Sequence, residues 1–125
     1  ADRYMSWRTH HLLITMPSTV NVNMRVCDKT CRITATHREG GDDIEMISNC
    51  KQLQDMAAAL KDGVTSDDIL DVYNSRVMKP EVRGTVCLEC LAVPALFNVC
   101  WLEEGMISKS LARKNKFNSV DFDEI

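Results

Sequence analysis

No stretch of this 125-residue chain is apolar for long enough to cross a bilayer, since a spanning helix needs about 18 to 20 such residues in a row. The longest run, "LAVPALF", is short and broken by Pro94. A basic excess is also missing. The net charge is −3 and the pI about 5.6, which argues against sequence-independent nucleic-acid binding, since that needs a basic stripe. "KSLARKNK" is short and balanced by Glu103 and Glu104. The chain carries no glycine-rich phosphate loop, no His-Glu-x-x-His and no usable Ser-His-Asp order, so none of those chemistries is written in it. No repeat and no long linker divides it, and no signal-peptide pattern opens it.

What is present is a 45% hydrophobic composition and six cysteines. The first suffices for one core without cross-links. The second needs a reason. Six thiols allow a secreted disulfide framework, but this chain is larger than most such scaffolds. With no signal peptide to point outward, reduced thiols or metal ligands in a cytoplasmic protein are the expectation.

The apolar pattern changes period near residue 50. Before it, "HLLITM", "TVNVNMRVC", "CRITATHRE" and "IEMIS" read as strands; in the second, Val20, Val22, Met24 and Val26 alternate with polar residues. Gly40-Gly41 with Asp42 and Asp43 reads as a solvated hairpin turn. After it, Leu53, Met56, Ala57 and Leu60 recur at helical spacing up to Gly63, with Ser48 or Asn49 as cap. "TSDDILDVYNS" predicts a second helix with Ile69, Val72 and Tyr73 inward, and a polar link carrying Pro80 and Gly84 follows it. "VPALFNVCWLEEGM" predicts a third, with Pro94 in its first turn and Gly105 at its end. The tail "NKFNSVDFDEI" offers an edge strand. The expected class is α+β: one domain over 1–125, an antiparallel β-meander over about 8–48, two or three helices over about 50–112, and a polar tail over 113–125.

On this map Cys87 and Cys90 precede a helix, Cys50 sits at another helix start, and Cys27 and Cys31 flank the turn "DKT". Helix starts present free N–H groups and partial positive charge, which favour thiolate, the form that binds metal. Cys-x-x-Cys and Cys-x-x-x-Cys are both acceptable ligand spacings. Cys27, Cys31, Cys50, Cys87 and Cys90 are therefore the candidate metal ligands, with packed unliganded thiols as the competing reading. Cys100 shares a helical face with Val93, Leu96 and Phe97 and reads as core. His10-His11 lies in a strand-like stretch, where one ring faces inward and the other solvent, and His37 is expected on the sheet surface.

From about Met24 onward the chain resembles a small uncharacterised domain of anaerobic archaea and bacteria. That domain has a cysteine after its first strand, a Ser-x-Cys opening its first helix, and a cysteine before a Val-Pro pair. The matching positions are Cys27, Cys50 in "SNC", and Cys90 in "CLAVP", where the interval to Val-Pro is one residue longer. Cys31, Cys87 and Cys100 fall outside the pattern. The resemblance implies an anaerobic prokaryotic origin and favours those three sulfurs.

The expected function is a small non-catalytic protein holding an iron–sulfur cluster or zinc, a subunit or accessory of a redox or methyl-transfer assembly. Cys27, Cys50 and Cys90 would be primary ligands with Cys31 or Cys87 as the fourth. Its expected partner is another protein subunit, not nucleic acid or a membrane. Two alternatives remain: a cofactor-free interaction module with structural cysteines and a Met-rich surface, and a thiol-dependent redox enzyme with His37 as its base.

Overall fold

Strand β2 (Lys29–Arg38) pairs on both sides, with β1 (Ser18–Met24) and β3 (Gly41–Ser48), and the two-residue β4 (Val64–Thr65) extends β3. All three pairings are antiparallel. The computed structural model describes residues 16–125, so His10-His11 and, apart from Met16, the strand expected in "HLLITM" lie outside the described residues. Helices follow: α1 (Lys51–Ala59), α2 (Ser66–Leu70), a 3-10 turn (Arg76–Met78), α3 (Pro80–Arg83), α4 (Ala92–Glu103) and α5 (Lys109–Asn115). The architecture is α+β, sheet first and helices after.

One face of the sheet forms the core because side chains alternate across a strand. Val20, Ile33 and Met46 stand in one row across β1, β2 and β3; Val22, Cys31 and Ser48 form the next, and Ser18, Ala35 and Ile44 the row on the other side. Helix α4 lies over β1 and β2 and buries Ala92, Val93, Leu96, Val99 and Cys100. Helix α1 packs on β3 and buries Leu53 and Met56. A fully buried side chain of this size contributes about 2 kcal/mol. Trp101 in α4 donates its indole N–H to the Ile69 carbonyl at 2.8 Å, fastening α2.

The β2–β3 turn comes one residue earlier than the sequence suggested. It consists of Glu39 and Gly40, with Gly40 at φ +82°, and Arg38 pairs with Gly41. Gly41 and Asp42 therefore belong to β3. A Cβ on Gly41 would stand 1.9 Å from the Val64 carbonyl oxygen, so only glycine lets β4 approach. Asp42, expected in a solvated turn, faces inward opposite His37 and is fully buried. A one-residue shift in register exchanges the two faces.

Three further expectations change. The second helix ends at Leu70, because Asp71 accepts from the Tyr73 N–H (3.0 Å) and the Asn74 side chain (2.7 Å) and turns the chain. Val72 and Tyr73 are consequently exposed, while Ile69 is buried. The polar link holds the 3-10 turn and α3, which bury Val77 and Val82. The tail forms no strand; "KSLARKN" is helix α5 and residues after it are irregular.

Asp68 organises this helical half. It forms a capping box with Thr65 and receives the Arg76 backbone N–H (3.0 Å) and guanidinium (2.9 Å). Burial pushes its carboxyl up, but bonds from Arg76 and the Thr65 backbone outweigh that and hold it below the usual carboxylate range. Asp68→Ala leaves those donors without an acceptor and is expected to cost about 2 to 3 kcal/mol in urea unfolding, the sum of a lost cap and a charge-assisted bond. A loss near zero would show that α2 is held by Trp101 and Ile69 alone.

Candidate functional site

Met24 is the last residue of β1, and the first candidate site is built around it. The next four residues make the β1–β2 turn, tightened by the Asp28 N–H on the Arg25 carbonyl (3.3 Å) with Asp28 at φ +60°. Cys27 is exposed in that turn, its S–H directed to the Met24 carbonyl at 3.6 Å. Cys31 enters the core from β2 and is 2% exposed. Cys50 is itself the N-cap of α1, in place of Ser48 or Asn49, and its S–H meets Gln52 Oε1 at 3.2 Å. Ser48 supports it from behind, accepting the Cys50 N–H at 3.0 Å. Cys87 is exposed in the turn before α4, where its carbonyl accepts from Arg83 and from the Cys90 N–H, both at 3.1 Å. Cys90 is half-buried, its S–H on the Met24 sulfur at 3.3 Å.

These five thiols act on one another electrostatically. Burial, then the charges Cys90 and Cys50 would carry, pushes the Cys31 thiol up to about 11. Burial also raises Cys90, with Cys50, Cys27 and Cys87 adding to it. The Ala92 N–H at the start of α4 pulls Cys90 the other way, as a helix N-terminus should, but does not prevail. The start of α4 therefore does not by itself yield the expected thiolate at Cys90. All six cysteines are unbridged.

Cys100 stands apart. Helix α4 has 12 residues and spans about 18 Å, running from the thiols to the opposite end of the same sheet face. There Glu103 accepts from the Ser18 hydroxyl (2.8 Å) and the His37 backbone N–H (2.9 Å). Cys100 is fully buried near Asp42, Glu104 and Glu103, and its thiol is raised by burial first and by those acids next.

That opposite end holds a constellation the sequence reading missed. His37 Nδ1 lies 2.9 Å from Glu104 Oε2. A ring nitrogen of His37 and one carboxylate oxygen each of Asp42 and Glu104 lie within 4.8 Å of one another. Among the described residues no other three His, Cys, Asp or Glu side chains converge so closely; the thiols are spaced more widely. No donor reaches either Asp42 oxygen. Its close polar neighbour is the Glu104 carboxylate, so the two bond only when Asp42 keeps a proton. Burial, the bond to Glu104 and the charges of Glu104 and Glu103 push the Asp42 carboxyl up to about 8, against a smaller pull from Arg38. Glu104 moves down despite its burial, through Asp42 and His37. Counting alternation back from a Glu39-Gly40 turn would have placed Asp42 beside His37.

A shallow cavity of about 210 Å³ lies between α1 and α3, lined by Met56, Val82 and Arg83 among others. It contains no thiol and is smaller than usual ligand pockets. No helix among the described residues is long and apolar enough to cross a membrane.

Residues 18–115, more than half of the chain, match a family of unknown function, DUF6951, and the chain belongs to that family. The matched span includes all six cysteines together with His37, Asp42 and Glu104. No curated protein and no solved structure matches the chain.

The Asp42 environment fixes a pH dependence. Its carboxyl titrates near 8 in the fold and near 3.9 when unfolded, so the folded state holds the extra proton between those values. Its contribution is complete below about pH 4 and is lost as pH rises toward 8. Urea unfolding should show stability falling from pH 5 to pH 8. Asp42→Asn, which removes the titration at nearly constant volume, should flatten that slope; an unchanged slope would assign it to another group.

Proposed function

We propose that this DUF6951 member is a small, non-catalytic carrier of a thiolate-bound metal centre, with an iron–sulfur cluster favoured over zinc. The observation that carries the reading is that Cys90 before α4 is near enough to Cys27, Cys50 and Cys87, and Cys31 in β2 to Cys50 and Cys90, to be raised by their charges. Cys27, Cys50 and Cys90 are the primary ligands in this reading, and Cys31 or Cys87 is the fourth. A single zinc ion with bonds near 2.3 Å draws its ligand sulfurs to about 3.8 Å from one another. A cluster separates its ligand sulfurs by several bonds, and it stands ahead of zinc in this reading because of the resemblance to domains of anaerobes.

Such a centre supplies one-electron chemistry when bound, and the chain's own residues would tune it. Cys31 and Cys90 are partly or wholly shielded from water, and the Ala92 N–H opening α4 favours negative sulfur at Cys90. Arg25, Lys29, Lys51 and Arg83 stand in the segments that carry the thiols. The tips of both cysteine turns are apolar: Val26 is 83% exposed and Leu88 90%. That pair suits a protein partner covering the centre, hence the role of subunit or accessory in a redox or methyl-transfer assembly. The resemblance to domains of anaerobes fits an oxygen-sensitive centre in a cytoplasmic setting.

The exposed Val26, Leu88, Val72 and Tyr73 favour a second reading, a cofactor-free module that binds a protein partner through those side chains. The thiol enzyme is less favoured, because His37 sits with Asp42 and Glu104, at the end of α4 away from the thiols.

The deciding experiment is anaerobic reconstitution with ferrous iron and sulfide, read by visible absorption and metal analysis. The metal reading expects charge-transfer bands near one cluster per chain, lost in Cys27→Ser, Cys50→Ser and Cys90→Ser. Comparing Cys31→Ser with Cys87→Ser identifies the fourth ligand. Cys100→Ala should keep the centre and cost about 1 kcal/mol or somewhat more in burial. Protein that stays colourless and zinc-free would leave the interaction module, and equal loss in the Cys100 variant would show that the bands are adventitious.

A further inference from the structure

We infer that His37, Asp42 and Glu104 form a second, independent site, which binds one divalent first-row cation of the manganese or ferrous class. The inference does not rest on the thiol reading. A buried carboxylate is normally paired with a cation or surrounded by donors. Asp42 is 0% exposed and has neither, since both its oxygens lack a hydrogen-bond donor. The nearby cation Arg38 is committed elsewhere, to the Asp62 carbonyl (2.7 Å) and to Asp43 (3.2 Å).

The geometry suits an ion. Two cis ligands with bonds of about 2.1 Å stand about 3 Å apart. His37 Nδ1 and Glu104 Oε2 are 2.9 Å apart, and the Asp42 oxygen lies within 4.8 Å of both. Here an ion takes the place of the Nδ1 hydrogen that otherwise bridges His37 to Glu104. One imidazole and two carboxylates form a harder donor set than thiolates, one that suits manganese or ferrous iron.

The scaffold holds these ligands in place. Asp42 and His37 face each other across β3 and β2. Glu103 clamps the end of α4 onto β1 and β2 through Ser18 and the His37 N–H, and so sets the position of Glu104. Glu103 and Glu104 also sit at the C-terminal end of α4, where the helix dipole disfavours negative charge. A cation there relieves both unfavourable terms. The His37 and Glu104 side chains are 41% and 23% exposed, so an ion enters from solvent and keeps open coordination positions for water or a small oxygen ligand.

Manganese is the discriminating probe, because the thiol end has little affinity for it. Titration of the metal-free chain with Mn²⁺ at pH 7.5, followed by the loss of the free-ion electron paramagnetic resonance signal, should show one site per chain. Asp42→Asn, Glu104→Gln and His37→Gln should each weaken binding at least tenfold. Cys50→Ser and Cys90→Ser, which disable the thiol end, should leave it unchanged. Mn²⁺ should also raise the urea midpoint of the native chain and leave that of Asp42→Asn in place, a readout that requires only that the variant unfold cooperatively. No site below millimolar Mn²⁺, or equal binding by all three ligand variants, overturns the inference. The thiol-centre reading stands or falls separately, on its absorption bands.

Discussion

The register of β2 between its two neighbours is the constraint on which the rest of the structure depends. Two tight antiparallel pairings decide which residues of β1, β2 and β3 point inward, and a one-residue slip in either would reverse that choice. Because the register holds, Cys31 enters the core at one end of the face and His37 meets Asp42 at the other. Helix α4 then lies along the same face and brings Cys90 to the first end and Glu104 to the second. Local turn chemistry thus fixes the composition of both candidate sites. Gly40 supplies the left-handed φ of one turn and Asp28 that of the other.

The two ends differ in chemical character. At the thiol end the groups are soft, neutral while protonated, and partly open to solvent, and burial together with neighbouring thiols raises the cost of ionising Cys31 and Cys90. At the carboxylate end the groups are hard, with a net acidic balance and one member wholly enclosed. The carboxylate end carries an electrostatic cost that a packed apolar core would avoid, since replacing buried polar groups such as Asp42 with well-packed apolar ones is often neutral or stabilising. Function is the natural place to look for the reason such groups are kept.

Much of the fold was legible in the sequence because its signals were periodic. The alternation begun at Val20 and the helical spacing from Leu53 to Leu60 each correspond to an element with the expected inward residues, except that β1 ends at Met24 and Val26 stands exposed in the turn. Cys100 was legible for the same reason. Where the sequence misled, a local hydrogen bond decided against the pattern. Asp71 stopped a helix that Val72 and Tyr73 would have continued, and Cys50 took the cap position from Ser48. The segregation of Cys100 from the other five thiols follows from the length of α4. The His37–Asp42–Glu104 group could not be read, because it depends on one residue of turn position and on a helix end more than sixty residues away. An Asp-Asp pair after Gly-Gly carries no sign of which member is enclosed.

The order of the elements along the chain also bears on how the molecule assembles. The β-hairpins and α1 join residues close in sequence, and such contacts form early because little chain entropy is lost in closing them. They bring Cys27, Cys31 and Cys50 together before α4 arrives. Cys90 reaches Met24 across 66 residues, and Glu104 reaches His37 across 67, so both ends are completed by one late event, the docking of α4. The docking of α4 onto the sheet therefore finishes both sites together.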